Sequence, residues 1–188
     1  MLHTVVQILK CIIIADFLTG LVHWLEDRYG KPTHRFVGKS VVLPNLVHHF
    51  RPRHMTKHSW WQSADTLVYG ALFVADMALL LGLFSWQLAL VLVLLCNANE
   101  IHKWAHRTKK ENGPLITLLQ KLRLVQTPAH HNRHHKGAKD KYYCSLTNFV
   151  NPALEFTRFF KIIEKLIAVL WQRHPRNDAD FKDWVKDY

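Results

Sequence analysis

Disulfides cannot hold this chain together, because three cysteines in 188 residues are too few for a framework. Cys11 and Cys96 also lie inside apolar runs, which favours a reduced or lipid-buried setting. Acidic residues are scarce, 14 Asp+Glu against 25 Lys+Arg, and the formal net charge is +11. Such an excess points to an anionic partner, either nucleic acid or an anionic membrane surface. A further absence decides between them: no lysine or arginine occurs between His58 and His102. The mean hydropathy of −0.07 therefore averages over a strongly polarised chain. That polarisation speaks for an integral membrane protein and against a nucleic-acid binder. Disorder is excluded as the main state by a hydrophobic content of 49% and an aromatic content of 12%.

The apolar stretches predict an all-α membrane bundle forming one domain over residues 1–188, with three spans. The first covers about 4–26 and carries Lys10 and Asp16. It lacks the basic start and small-residue cleavage site of a signal peptide, and runs straight into His23 and Trp24. The second covers 64–84, with Asp65 at its edge and Asp76 as the only charge further in. The third covers 86–107, apolar first and polar in its last turns. Each is long enough to cross a hydrocarbon core of about 30 Å. Basic residues fall in 28–57, 103–141 and 158–186, which predicts those segments in the cytoplasm and the N-terminus outside. Amphipathic helices are expected over about 114–125 and 152–172, each either packed on the protein or lying in the membrane interface. The last fourteen residues read as a short polar tail.

The chain holds fourteen histidines. Eleven fall in four places: His23; His48, His49, His54 and His58; His102 and His106; and His130, His131, His134 and His135. The expected topology brings all four to one membrane face. His23 and Asp27 are four apart, as are His102 and His106, so each pair shares a helix face, and Asn99 joins the second. Neutral imidazole ligates iron, zinc, copper and nickel. Eight or more are too many for one tetrahedral zinc and suit two ions with open positions. His3, His34 and His174 read as interfacial anchors, and Cys144 as a packed structural residue. Asp16 is read as pairing internally, with Lys10 the nearest partner in sequence.

This array resembles the membrane-bound histidine-box desaturases and hydroxylases, and most closely the lipid desaturase family of plasmanylethanolamine desaturase-like enzymes. The resemblance covers about residues 15 to 164. It runs through Ala15-Asp16-Phe17, Gly20-Leu21-Val22-His23-Trp24, Asp27, Gly38-Lys39, His48-His49, Pro52 and His58. It continues with Asn99, Ile101-His102-Lys103-Trp104, His106, Leu118-Leu119-Gln120, His130-His131, His134-His135, Tyr142, Cys144, Thr147, Asn151 and Glu155. It implies a di-iron centre with His23, Asp27, His48, His49, His58, His102, His106, His131, His134 and His135 as metal residues. His130 and Asn99 are expected behind the ligands, Asn99 holding a water or orienting His102.

The activity so implied consumes O2 and external electrons, delivered by a donor such as cytochrome b5 or ferredoxin. The substrate is a membrane phospholipid, with a 1-O-alkyl ether converted to the vinyl ether of a plasmalogen. Alternatives are desaturation of an acyl chain near its carboxyl end, a related di-iron lipid hydroxylase, and, more remotely, a non-enzymatic metal-handling membrane protein. Lys103 and Arg133, beside ligand positions, are candidates for docking the lipid phosphate or the donor. Residues 1–9 contain no Arg or Ser, which favours a bacterial inner membrane or endoplasmic reticulum over a chloroplast.

Overall fold

The computed structural model describes residues 1–186, and the last two positions of the expected domain lie outside it. Among the described residues every regular element is helical. The main helices are α1 (Leu2–Arg28), α2 (Leu43–Phe50), α3 (Trp60–Leu80), α4 (Trp86–Cys96), α5 (Ala98–His106), α6 (Lys109–Lys121), α7 (Pro128–His135), α8 (Val150–Phe156) and α9 (Phe159–Trp171).

Local chemistry sets many of the helix starts. Ser59 and Gln62 form a reciprocal capping box at the start of α3, and Thr108 and Glu111 do the same for α6. Thr127 caps α7 ahead of Pro128, which has no N–H to leave unpaired. Gly82, at φ 66°, ends the α3 region in the left-handed conformation and turns the chain toward α4.

Among the described residues two helices, α1 and α3, are long and apolar enough to cross a membrane. Only 28% and 11% of their most apolar stretches are buried, whereas the core helix of a soluble protein buries most of its length. Leu72, Phe73, Leu79 and Leu80 of α3 all face outward. The expected third span is not one helix. It breaks at Asn97, whose side chain accepts from Trp60 Nε1 and donates to the Val93 carbonyl. The apolar part, α4, has 11 residues, about 16 Å and too short to cross alone.

Small residues let α1 approach α4 and the loop after α7. Cys11 and Ala15 of α1 are buried with Val91, Ala98, Ile101 and Leu146. A Cβ at Gly20 would collide with the Cys144 sulfur, so glycine is required there and Cys144 is a packed structural thiol. Asp16 is satisfied by that same loop and not by Lys10. Its carboxylate accepts from Leu146 N at 2.8 Å and Thr147 Oγ1 at 2.5 Å.

The expected helix over 152–172 is divided between α8 and α9 at Thr157 and Arg158, the latter at φ 52°. Phe159, Phe160, Ile163 and Ile167 of α9 pack with Trp24 and Tyr143. Its buried Glu164 accepts from Arg28 Nε at 2.7 Å and Trp24 Nε1 at 3.1 Å. Ile162, Leu166, Val169 and Leu170 face outward, so the expected apolar face is shared between core and surroundings. The polar tail is not free either. Arg176 N donates to the Arg28 carbonyl at 2.7 Å, and Val185 is buried among Leu43, Leu46 and Val47. The tail therefore straps α2 to the end of α1.

Candidate metal centre

Four helices deliver the ligand candidates. His23 and Asp27 stand one turn apart near the end of α1, and His48 and His49 in the last turn of α2. His102 and His106 share a face of α5, and α7 carries His131, His134 and His135. Asn45 Nδ2 donates to Asp27 Oδ1 at 2.7 Å and so ties α2 to α1 beneath the cluster.

The imidazoles fall into two groups. His48, His102, His106, His131 and His135 form one; His23, His48, His49 and His134 form the other. Within each group the ligand atoms lie within 4.8 Å of one another, and His48 belongs to both. Asp27 completes the second: Oδ2 is 3.5 Å from His23 Nε2 and 3.4 Å from His134 Nε2, and Oδ1 is 3.3 Å from His49 Nε2.

Hydrogen bonding alone does not account for this arrangement. His131 Nε2 is 2.8 Å from His102 Nε2, 3.0 Å from His106 Nε2 and 2.9 Å from His135 Nε2. One nitrogen with one proton or one lone pair cannot serve three such neighbours. Two nitrogens bound to one ion at right angles, each about 2.1 Å away, lie about 3.0 Å apart. His23 Nε2, His48 Nε2 and Asp27 Oδ2 are buried without a hydrogen-bond partner. Leaving such atoms unpaired costs about 1–3 kcal/mol each, which a bound cation removes. These residues fit a metal.

Four of the outer ring nitrogens are anchored as metal-binding histidines require, whereas Nδ1 of His131 and His135 is buried without a partner. His23 Nδ1 donates to the Tyr143 carbonyl at 2.9 Å, His48 Nδ1 to Asn45 O at 2.6 Å and His134 Nδ1 to Lys141 O at 2.8 Å. His49 Nδ1 donates to Asp178 Oδ2 at 2.7 Å. A ring that donates from Nδ1 keeps its Nε2 lone pair for the cation. Burial holds His48, His131 and His134 well below the ordinary imidazole pKa, and neighbouring rings add to the shift. They are thus neutral at neutral pH, the form that ligates.

Nine of the ten expected metal residues are brought together, His58 being the exception. It lies apart from both groups, its ring 5.1 Å from that of His54 in an edge-on contact. His130 stands behind the ligands, its Nε2 3.3 Å from Asn151 Nδ2. Asn99 donates to the Ser63 carbonyl at 2.7 Å rather than to His102. Lys103 cannot dock anything: it is fully buried, with Nζ 2.5 Å from Glu100 Oε2. Arg133 is exposed, lies over the Tyr142 ring and donates to its hydroxyl at 2.9 Å. Asp178 was missed altogether. The only signal for it was an acid within the tail, and acids in polar tails are ordinarily solvated.

A cleft of about 210 Å³ runs beside the centre. Its wall includes His23, His48 and His102, apolar Leu18, Val22, Leu67 and Leu95, and polar Gln62 and Asn99.

Fold and site together define a helical protein that gathers imidazoles and a carboxylate from α1, α2, α5 and α7 into a cluster compatible with a metal site. Residues 12–178 match the family model described as the lipid desaturase domain, and the chain belongs to that family. It is 31% identical over 172 residues to a plasmanylethanolamine desaturase of Myxococcus xanthus, covering 87% of this chain and 60% of the relative. It is 31% identical over 199 residues to plasmanylethanolamine desaturase 1 of Mus musculus, covering 98% of this chain and 72% of the relative. A probable fatty acid desaturase of Acanthamoeba polyphaga mimivirus is 26% identical over 186 residues, covering 97% of this chain and 90% of the relative. The chain thus spans 60% of the length of the bacterial relative. No solved structure matches.

Proposed function

We propose that this chain is a membrane di-iron lipid desaturase that converts the 1-O-alkyl ether of a plasmanyl phospholipid to the vinyl ether of a plasmalogen. One observation carries the reading: two imidazole groups, with Asp27 in the second, meet beside a cleft with both apolar and polar lining. The two relatives named plasmanylethanolamine desaturase direct it to the ether substrate.

His48, His102, His106, His131 and His135 would hold one iron, and His23, His49, His134 and Asp27 the other. Bound iron supplies the O2 chemistry that no side chain can perform on an unactivated carbon. One O2, two external electrons and two protons are consumed, two hydrogens leave the chain and two waters form. The protein's share is placement. Anchored Nδ1 atoms fix the rings of His23, His48, His49 and His134, and the apolar lining excludes water and holds the alkyl chain against the ligand wall. The exposed Arg133 is a docking point for an acidic electron donor such as cytochrome b5 or ferredoxin.

The test is lipid analysis of desaturase-deficient cells expressing the chain or its His131→Ala variant. Acid-labile vinyl ethers are expected with the first and none with the second. A new acyl double bond or hydroxyl instead would keep the centre and move the substrate.

A further inference from the structure

His58 and Lys103 belong to the sequence pattern, yet neither joins a metal group. The structure ties them to each other. Lys103 Nζ donates to the His58 carbonyl at 3.1 Å and the Ser59 carbonyl at 3.3 Å. Its charge is balanced by Glu100, so a fully buried ammonium is spent on fixing the backbone of two residues. A buried charge is costly unless fully paired, and this one has a partner for each of its three protons. The backbone thus held carries the His58 ring on the wall of the cleft. That imidazole makes no hydrogen bond among the described residues.

The composition of the cleft is unusual for this chain. With 25 basic residues in the sequence, no lysine or arginine lines it among the described residues. An anionic group entering it must be met by imidazole, amide or hydroxyl. Asn99 has its amide committed to Ser63, and the Gln62 side-chain oxygen accepts from Ser59 N.

We propose that His58 binds the phosphate of the phospholipid substrate, and that Lys103 is the positioning residue that holds it in place. The inference rests on the desaturase reading. In a plasmanyl lipid only the ether oxygen and the glycerol carbons separate the reacting chain carbons from the phosphate ester. A chain held against His23, His48 and His102 therefore brings its phosphate into the same cleft. A neutral imidazole N–H to a phosphate oxygen is a charge-assisted bond, because the acceptor is ionised. Asp65 also lines the cleft and offers a carboxylate to an ammonium. A zwitterionic headgroup would find an N–H donor for its phosphate and a carboxylate for its ammonium there.

The experiment uses the full chain, iron-loaded in detergent, as wild type, His58→Gln, His58→Arg and Lys103→Met. Iron per chain is measured first. Binding is then measured for a 1-O-alkyl-2-acyl-glycerophosphoethanolamine and for the same alkylacylglycerol without phosphate, with inorganic phosphate as competitor. Iron content is expected to stay at the wild-type value in every variant. Phospholipid binding should weaken about tenfold in His58→Gln and Lys103→Met and recover in His58→Arg, while the phosphate-free lipid is unaffected. Iron loss in the His58 variants would make His58 a ligand and overturn the proposal. So would intact iron with unchanged phospholipid affinity, or inorganic phosphate displacing the lipid at equal concentration. A wild-type chain that holds iron but binds neither lipid would instead defeat the desaturase reading itself.

Discussion

Asp178 Oδ2 lies 2.7 Å from His49 Nδ1, although the two residues are 129 positions apart. A carboxylate behind a metal-binding imidazole fixes the ring and raises its basicity. Asp178→Ala should therefore weaken metal binding about 10- to 100-fold, and Asp178→Asn, which keeps an acceptor oxygen, by less. Competition with a graded chelator measures this. Equal losses in both variants would assign the effect to the carboxylate charge, and no loss of affinity in either would show that the strap matters only as packing.

Gly20 has no room for a side chain. Gly20→Ala should destabilise the folded chain by about 1–3 kcal/mol, since its methyl group meets the Cys144 sulfur and main chain. Cys144→Ala in the same chain should recover part of that loss, because the sulfur goes and the backbone stays. Thermal unfolding of the four combinations in detergent gives the coupling directly.

Asp16 stands two turns before His23 on α1 and fixes the loop that holds that ring. It accepts from Leu146 and Thr147, and the neighbouring Tyr143 carbonyl receives His23 Nδ1. Asp16→Ala leaves two buried donors unpaired, at about 1–3 kcal/mol each. The expected result is a lower Tm together with reduced metal retention, and Asp16→Asn should be milder. A stability loss with metal affinity untouched would disconnect the loop from the centre.

Chelation should lower the melting temperature of the loaded protein, and readdition of metal should restore it. An ion present at about a thousand times its Kd stabilises a fold by about 4 kcal/mol. An imidazole cluster that only packs would show no dependence on metal concentration.

Much of the centre was legible because helical spacing is local. His102 and His106, or His23 and Asp27, must share a face if their segments are helices. What escaped depended on contacts between distant segments. Nothing in the tail's polar composition says that Asp178 returns to His49. Nor does hydropathy, summed along 86–107, register the single polar side chain at Asn97 that breaks the helix. His58 sits at the right spacing for the pattern, but Lys103 pins its backbone where the ring misses both groups. The amphipathic stretch from 152 had the right composition, yet the left-handed turn at Arg158 divides it and lets one part face inward and another outward.

His48 offers one inward nitrogen and stands in both ligand groups. A single lone pair cannot satisfy two cations at once, so filling one position changes the affinity of the other. Loading is then a coupled equilibrium, and a titration should depart from two independent hyperbolas. Half-loaded chains are a distinct species, with His48 drawn to whichever ion arrived first. Metal supply would decide how much of the protein is complete, not merely how much is occupied.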